Sequence, residues 1–325
     1  MRAVVCKELG PLDQLVIEEV DPPVAGPGQV VIDVAAAGVN YVDGLIVQGR
    51  YQIKPATPYV PGGEVAGIVS SVGSGIDSLA VGQRVVASTG FGAFAEQVAA
   101  PEVMAFGLPD EVADGQAAAM LQSYGTALFT LRRRTSVAPG EWVLVLGAGG
   151  GVGLACIDVA RALGARVIAA ASSPDKLAAA TAMGAEATIA YEDPDVDLKV
   201  AAREASGGGV DVVIDTVGGR HSEPALRATR LFGRFCVVGF AAGPIPTVPL
   251  NQVLLNNRTV VGVEWGGWAF RYPVENRALL GEALTMVADG RLHPAVPAER
   301  PLDDAAAVMA ELLDRKITGK VVLMP

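Results

Sequence analysis

The pattern of apolar and polar positions changes character near residue 120. Before that point, short apolar or alternating runs at 30–34, 64–69 and 84–88 are separated by Pro22-Pro23, Gly26-Pro27-Gly28 and Pro61-Gly62-Gly63. Runs of that length between such breaks predict strands and tight turns, so residues 1–122 read as β-rich. From 123 to 265 the rhythm lengthens. Apolar stretches at 142–147, 166–170, 187–190, 211–215, 234–239 and 259–264 are each short enough for one buried strand, and helical segments separate several of them. One such segment, 174–183, opens on a proline and stops before Gly184, a suitable C-terminal cap. Six strands alternating with helices predict a doubly wound parallel sheet, an α/β fold. Residues 266–325 add two helices, near 275–289 and 303–314, and a strand at 320–323.

The first strand of the alternating region runs into a glycine cluster, Gly147-Ala148-Gly149-Gly150-Gly151-Val152-Gly153, and a helical pattern follows from 152 to 163. Glycines at 147, 150 and 153 suit a tight strand-to-helix turn whose backbone must approach a pyrophosphate, with the helix N–H groups aimed at the anion. The usual G-x-G-x-x-G spacing is not met; the chain has Gly147-x-x-Gly150-x-x-Gly153. Strand, turn, helix and a second strand at 166–170 supply the context that makes such a motif informative.

Composition narrows the partners. With 25 Lys+Arg against 35 Asp+Glu, the net charge of −10 leaves no basic surface for nucleic acid. The apolar region 143–171 is broken by glycines, Asp158, Arg161 and Arg166, which argues against a membrane span. No signal-peptide pattern opens the chain, so a cytoplasmic location is expected. Cys6, Cys156 and Cys236 are far apart in apolar runs and read as buried small residues.

The second strand bears on the choice of dinucleotide. An acid at its end would hold the adenosine ribose of NAD, but here the strand ends in Ser172-Ser173-Pro174-Asp175-Lys176. Hydroxyls and a lysine are what a 2′-phosphate needs, which favours NADPH. Ser172 has a competing reading as a plain helix cap.

Several further segments carry a family likeness: Ala37-Gly38-Val39-Asn40-Tyr41-Val42-Asp43, Gly49-Arg50-Tyr51, Pro58-Tyr59-Val60-Pro61-Gly62-Gly63-Glu64, Tyr124-Gly125-Thr126-Ala127, Asp215-Thr216-Val217-Gly218-Gly219 and Thr318-Gly319-Lys320. Together with the glycine loop, and in this order, they resemble the zinc-free NADPH:quinone oxidoreductases (the zeta-crystallin-like branch) of the medium-chain dehydrogenase/reductase superfamily. The resemblance spans essentially the whole chain. It implies a Rossmann domain (123–265) inserted into a GroES-like β-rich catalytic domain made of 1–122 and 266–325. It also implies cofactor contacts. Asn40 and Thr126 would lie beside the nicotinamide, Gly150, Gly151 and Val152 on the pyrophosphate, and Ser172, Lys176 and Tyr191 on the 2′-phosphate. Gly239, Phe240 and Val263 would line the nicotinamide side, although Phe240 and Val263 also read as simple core and Tyr191 as a packed ring.

Alcohol dehydrogenases of this superfamily take their zinc ligands from a cysteine where this chain has Asn40, a histidine where it has Gly63, and a cysteine or acid near Tyr124. Val42 replaces the proton-relaying hydroxyl, and three scattered cysteines cannot build a four-cysteine lobe. No zinc is therefore expected. Without a Lewis acid to stabilise an alkoxide, a suitable acceptor is one activated by conjugation, such as a quinone or an α,β-unsaturated carbonyl. Reduction of enal, enone or enoyl-thioester double bonds is the alternative, and a dinucleotide-binding protein without turnover is a third reading.

Tyr51 is the candidate proton donor, with an aromatic lid and water as donor the competing reading. Asp43 reads as an ordinary salt-bridge residue or as an orienter of Arg50 or a water, and Glu64 as structural support. His221, assigned to a loop near the sheet edge, and His293 are not expected to be catalytic. The run at 259–265 is apolar enough to pair across a dimer axis, so a homodimer is expected.

Overall fold

Short, strongly apolar strands dominate both ends of the chain and its middle, and in the computed structural model, which describes residues 1–325, they assemble into two separate large sheets. Two units result: Met1–Gln122 with Pro273–Ala288 and Ala295–Pro325, and Ser123–Tyr272 with Asp289–Pro294.

The first unit opens with a two-stranded ribbon, β1 (Arg2–Val5) and β2 (Val16–Glu19). Five strands follow: β3 (Gln29–Val39), β4 (Glu64–Val72), β5 (Arg84–Ser88), β6 (Gln97–Pro101) and β7 (Ala105–Gly107). Helix α1 (Tyr41–Val47) interrupts them directly after β3, and α2 (Asp114–Ala118) comes after β7; the next helix, α3 (Leu121–Leu128), belongs to the second unit from Ser123 on. Alternate residues of the strands point inward, so Val30, Ile32, Val65, Val69 and Val85 form a core with Phe94.

The second unit carries β8 (Trp142–Leu146), α4 (Gly151–Ala162), β9 (Arg166–Ala171), α5 (Pro174–Ala182), β10 (Ala187–Ala190) and α6 (Leu198–Ala205). It continues with β11 (Val210–Asp215), α7 (Ser222–Ala228), β12 (Thr229–Val237), α8 (Leu250–Leu254), β13 (Thr259–Gly262) and α9 (Trp265–Arg271). The strands form one parallel sheet in the order β10-β9-β8-β11-β12-β13. This is a doubly wound Rossmann sheet whose direction of winding reverses between β8 and β11. All five residues of β8 are buried, as a central parallel strand covered on both faces requires.

The chain then returns to the first unit through α10 (Pro273–Ala288), β14 (Ala298–Pro301), α11 (Ala305–Leu313) and β15 (Val321–Met324). There the sheet runs β14-β15-β3-β4-β5-β7, with β6 also pairing β3. The register sets Val321 against Val39 in antiparallel fashion, so the residue before β15 comes beside the residue after β3.

The fold is thus a Rossmann sheet together with a β-rich unit of GroES-like type, as the sequence implied. The strand expected at 234–239 begins at Thr229. Thr229 pairs with Val210 ahead of an irregularity, and Phe232 takes a left-handed backbone (φ 61°), which breaks the alternation that would reveal the strand. Helices α4, α5, α10 and α11 match the helices that the sequence reading bounded, and the shorter α1, α2, α3, α6, α7, α8 and α9 were not given bounds there.

Candidate functional site

At the end of β8 the chain turns at Gly147 in a left-handed conformation (φ 70°), where a Cβ would come 2.4 Å from Thr216 Oγ1. Thr216 Oγ1 in turn donates to the Leu146 carbonyl at 2.9 Å, tying β11 to β8 at the reversal point of the sheet. Gly153 packs α4 onto the turn so closely that a Cβ would lie 2.2 Å from the Gly147 carbonyl oxygen. Gly150 differs from both. It stands at the N-cap of α4, and its nearest neighbour to a Cβ would be 3.6 Å away. Nothing inside the protein requires a glycine at that point, so the space above it is available to a ligand. No side chain caps α4, which leaves the N–H groups of its first turn, at Gly151 and Val152, to meet an anion.

Beyond the loop, Ser172 follows β9, Lys176 lies in the first turns of α5, and Tyr191 follows β10. Lys176 Nζ donates to Ser172 Oγ at 3.4 Å, and the Tyr191 N–H binds the Ala171 carbonyl at 3.2 Å. The three residues therefore share one corner of the sheet. The N-cap of α5 is Ser173, which removes the reading of Ser172 as the helix cap. A dinucleotide fits this surface: glycine backbone for the pyrophosphate, then hydroxyl and ammonium groups where adenosine would carry a phosphate.

The Tyr191 ring packs on His221 with centroids 4.4 Å apart. His221 is not at the sheet edge, as the sequence suggested, but buried in the turn that follows the central strand β11. Burial lowers its pKa, against the opposing pull of Glu192 at 3.4 Å. Glu192 also pairs with Arg220. The turn itself is organised by buried Asp215. Its Oδ1 accepts from Val217 and Gly218 N–H at 2.9 and 2.8 Å, and its Oδ2 accepts from Ser222 Oγ at 2.6 Å. Gly239, after β12, donates its N–H to the Asp215 carbonyl at 3.2 Å, and Phe240 lies over Gly218. Phe240 is exposed and so is not core, whereas Val263 is buried and donates to Val237 at 2.9 Å. Thr126, on α3, accepts from Thr130 Oγ1 through its carbonyl at 2.7 Å.

The β-rich unit holds a different arrangement. Asn40 stands between β3 and α1, at the N-cap of the helix, and it is buried. Its backbone N–H donates to Asp43 Oδ2 at 2.7 Å, its Nδ2 donates to Glu64 Oε1 at 2.9 Å, and its Oδ1 accepts from Lys320 Nζ at 2.6 Å. Lys320 also donates to Glu64 Oε1 at 2.9 Å and to the Val39 carbonyl at 3.1 Å. The remaining oxygen of Glu64, Oε2, accepts from the Gln122 N–H at 2.9 Å.

Asp43 does not orient Arg50, which turns to Gln48 Oε1 at 3.0 Å. Burial instead raises the Asp43 carboxyl to about 7, against the lowering effects of the Asn40 N–H and Lys320. Tyr51 stands half-buried after Gly49, whose left-handed turn ends the α1 segment. Tyr124, near the third zinc-ligand position of the superfamily, donates to buried Asp158 at 2.8 Å, and its pKa is raised, chiefly by burial.

No group of three or more His, Cys, Asp or Glu side chains comes together with metal-binding geometry. Of the superfamily's ligand positions, one holds a carboxamide bonded to an ammonium and another, Gly63, holds no side chain at all. In the sequence Lys320 stands out only as part of the terminal Thr318-Gly319-Lys320 segment. A lone lysine ahead of an apolar strand was the sole available signal of a buried role.

A Rossmann sheet opening on a glycine loop, in one chain with a GroES-like unit, defines a dinucleotide-binding oxidoreductase. Residues 26–110 match the alcohol dehydrogenase GroES-like domain family, and residues 151–279 match the zinc-binding dehydrogenase family. A Bos taurus protein named quinone oxidoreductase-like protein 2 is 40% identical over 325 residues, covering 99% of this chain and 92% of its own length. The structure of a Pseudomonas syringae quinone oxidoreductase is similar with a TM-score of 0.90 at 32% identity, over 100% of this chain and 99% of its own. That of an Escherichia coli quinone oxidoreductase complexed with NADPH gives 0.90 at 29% identity over 100% of both chains. The chain belongs to the quinone oxidoreductase branch of the medium-chain dehydrogenase/reductase superfamily, and it is an oxidoreductase.

Proposed function

We propose that the protein is an NADPH-dependent reductase that works without zinc on quinones or related conjugated carbonyl compounds. The observation that carries this reading is the Asn40–Glu64–Lys320 cluster. An ammonium and a carboxamide stand where the superfamily's alcohol dehydrogenases gather metal ligands. The charge of Lys320 already balances Glu64 there, and a divalent cation would meet a carboxamide bonded to an ammonium where it needs a thiolate.

Gly150, Gly151 and Val152 would hold the pyrophosphate. Ser172, Lys176 and Tyr191 would hold the 2′-phosphate, in keeping with the NADPH of the Escherichia coli relative. Gly239, Phe240, Val263 and Thr126 are assigned to the nicotinamide end. Bound there, NADPH supplies a hydride. The protein's own contribution is to orient the acceptor through Asn40, to exclude water, and to return a proton from Tyr51 or solvent.

No helix is long and apolar enough to cross a membrane. We assign the edge strand β13 to a homodimer contact. It is the unpaired margin of the parallel sheet, and Phe232, Leu254, Leu255 and Val260 are all exposed apolar residues of its neighbourhood.

Incubation of the purified protein with NADPH or NADH against quinones, enals, enones and crotonyl-CoA tests the reading. Quinone-dependent oxidation of NADPH in preference to NADH is expected. NADPH binding with no turnover across the panel would overturn the enzymatic assignment, and turnover confined to crotonyl-CoA or to enals and enones would move it to double-bond reduction. Elemental analysis should find no stoichiometric zinc.

A further inference from the structure

In the cluster around Asn40, nearly every hydrogen-bonding group has a partner. Lys320 has three N–H donors, and Val39 O, Asn40 Oδ1 and Glu64 Oε1 take all three. Glu64, only 1% exposed, accepts at both oxygens. Asn40, 7% exposed, uses its amide oxygen toward Lys320 and one Nδ2 hydrogen toward Glu64.

The partners also fix which way the amide faces. Lysine ammonium has no acceptor and an ionised carboxylate has no donor, so a flipped amide would set N–H against N–H and oxygen against oxygen. One group is left over, the second Nδ2 hydrogen of Asn40. It is a donor, it is on a buried side chain, and nothing in the protein receives it. Buried polar groups are rarely left so unless a ligand or water completes them.

We propose that the Lys320–Glu64 pair locks the Asn40 amide as an oriented donor to the carbonyl oxygen of the acceptor. This rests on the reductase reading above and names the role of one of its residues. When hydride from the reduced dinucleotide adds to a conjugated acceptor, a C–H bond forms. The π electrons displaced by that bond move onto the acceptor's carbonyl oxygen. The Asn40 N–H meets that developing oxyanion, and solvent or Tyr51 later supplies its proton. The ammonium held against Asn40 Oδ1 polarises the amide, so part of its positive charge is felt at the oxyanion. Asn40 is then the catalytic residue, and Lys320 and Glu64 are positioning residues.

Three variants of the full-length protein test this, each assayed at saturating NADPH against a series of para-quinones of decreasing reduction potential, with NADPH affinity measured separately. Asn40→Asp keeps the size and the contact with Lys320 but replaces the donor by an acceptor. Its kcat should fall about 100-fold or more, the loss typical of a missing oxyanion donor, with NADPH affinity nearly unchanged. The double variant Lys320→Met/Glu64→Gln removes the lock without leaving a lone buried charge. It should lose about tenfold in kcat, a part of what such a donor provides, with the loss growing toward quinones whose oxyanions are more basic. Lys320→Arg, which keeps the cation, should recover most of the rate.

Weakened NADPH binding by Asn40→Asp at unchanged kcat would overturn the proposal, because the donor would then serve the dinucleotide. A uniform loss across the quinone series in the double variant would assign the pair a purely structural role. Should the double variant not fold, the Asn40→Asp result decides alone. A wild-type protein inactive on every acceptor would instead sink the reductase reading itself.

Discussion

Between Gly147 and Gly153 the chain works almost entirely through its backbone, whereas around Asn40 it works through side chains drawn from remote parts of the sequence. In the glycine loop, Gly147 and Gly153 are fixed by close contacts with Thr216 and with the turn itself, and Gly150 keeps space open. Around Asn40, Asp43, Glu64 and Lys320 arrive from α1, β4 and the residue before β15. The first surface suits an anion whose charge never changes during reaction. The second suits an atom whose charge does change, because oriented side-chain dipoles and a nearby cation can be aimed at one oxygen.

The two regions should therefore fail differently. The largest effect is expected at Lys320. Lys320→Met leaves Glu64 buried and uncompensated, and it should cost about 3–5 kcal/mol of stability in urea denaturation. Adding Glu64→Gln should return most of that loss; a single variant as stable as wild type would show that the pair is not a buried ion pair in solution.

Next comes the pH dependence set by Asp43, whose carboxyl burial raises to about 7. Between the ordinary aspartate range and pH 7 the folded protein keeps this proton while the unfolded chain releases it. Stability should fall as pH rises through that window, by on the order of 1–4 kcal/mol, and level off above it. Asp43→Asn should flatten that part of the profile, and melting temperatures from pH 4 to 8 in the two proteins would show whether it does.

Lys176→Ala should weaken NADPH by roughly 10–100-fold, the value of one or two charge-assisted bonds, and leave NADH nearly unaffected. Equal losses for both dinucleotides would detach Lys176 from the 2′-phosphate. The smallest structural effect belongs to Gly150→Ala, which should cost less than about 1 kcal/mol of stability while reducing cofactor affinity. Gly153→Ala should reverse that balance, since its Cβ meets backbone at 2.2 Å, with overpacking worth about 1–3 kcal/mol.

The same contrast governs what could be read from the sequence. The central strand β8 is a continuous apolar run because both its faces are covered, and the positions of all six strands follow from the sequence alone apart from the early start of β12. Ser172 and Lys176 drew notice because they trail the end of a strand, whereas Tyr191 joined them only through the family resemblance; strand ends in such a sheet share one edge, which is why the three lie near one another. Asn40 was legible as a position and not as an environment. Its partner Lys320 lies 280 residues away, and only the antiparallel register of β15 against β3 brings them together. Helix α1 was missed for a local reason. Its seven residues span only two turns, too short to stand out as an amphipathic pattern or to be stable alone, and tertiary packing stabilises it in place of intrinsic propensity.

The pairing of β15 with β3 also has a consequence for how the protein is made. A ribosome must translate the 256 residues from Glu64 to Lys320 before the ammonium exists to meet Glu64. At about 5–20 residues per second that delay is roughly 13–50 s. Throughout it the nascent β-rich segment holds an unmatched carboxylate at its centre and an open edge on β3. The parallel sheet, whose strands all lie within residues 142–262, has every partner it needs much sooner. During synthesis, then, the half that carries the glycine loop can be finished while the half that carries Asn40 still waits for its final strand.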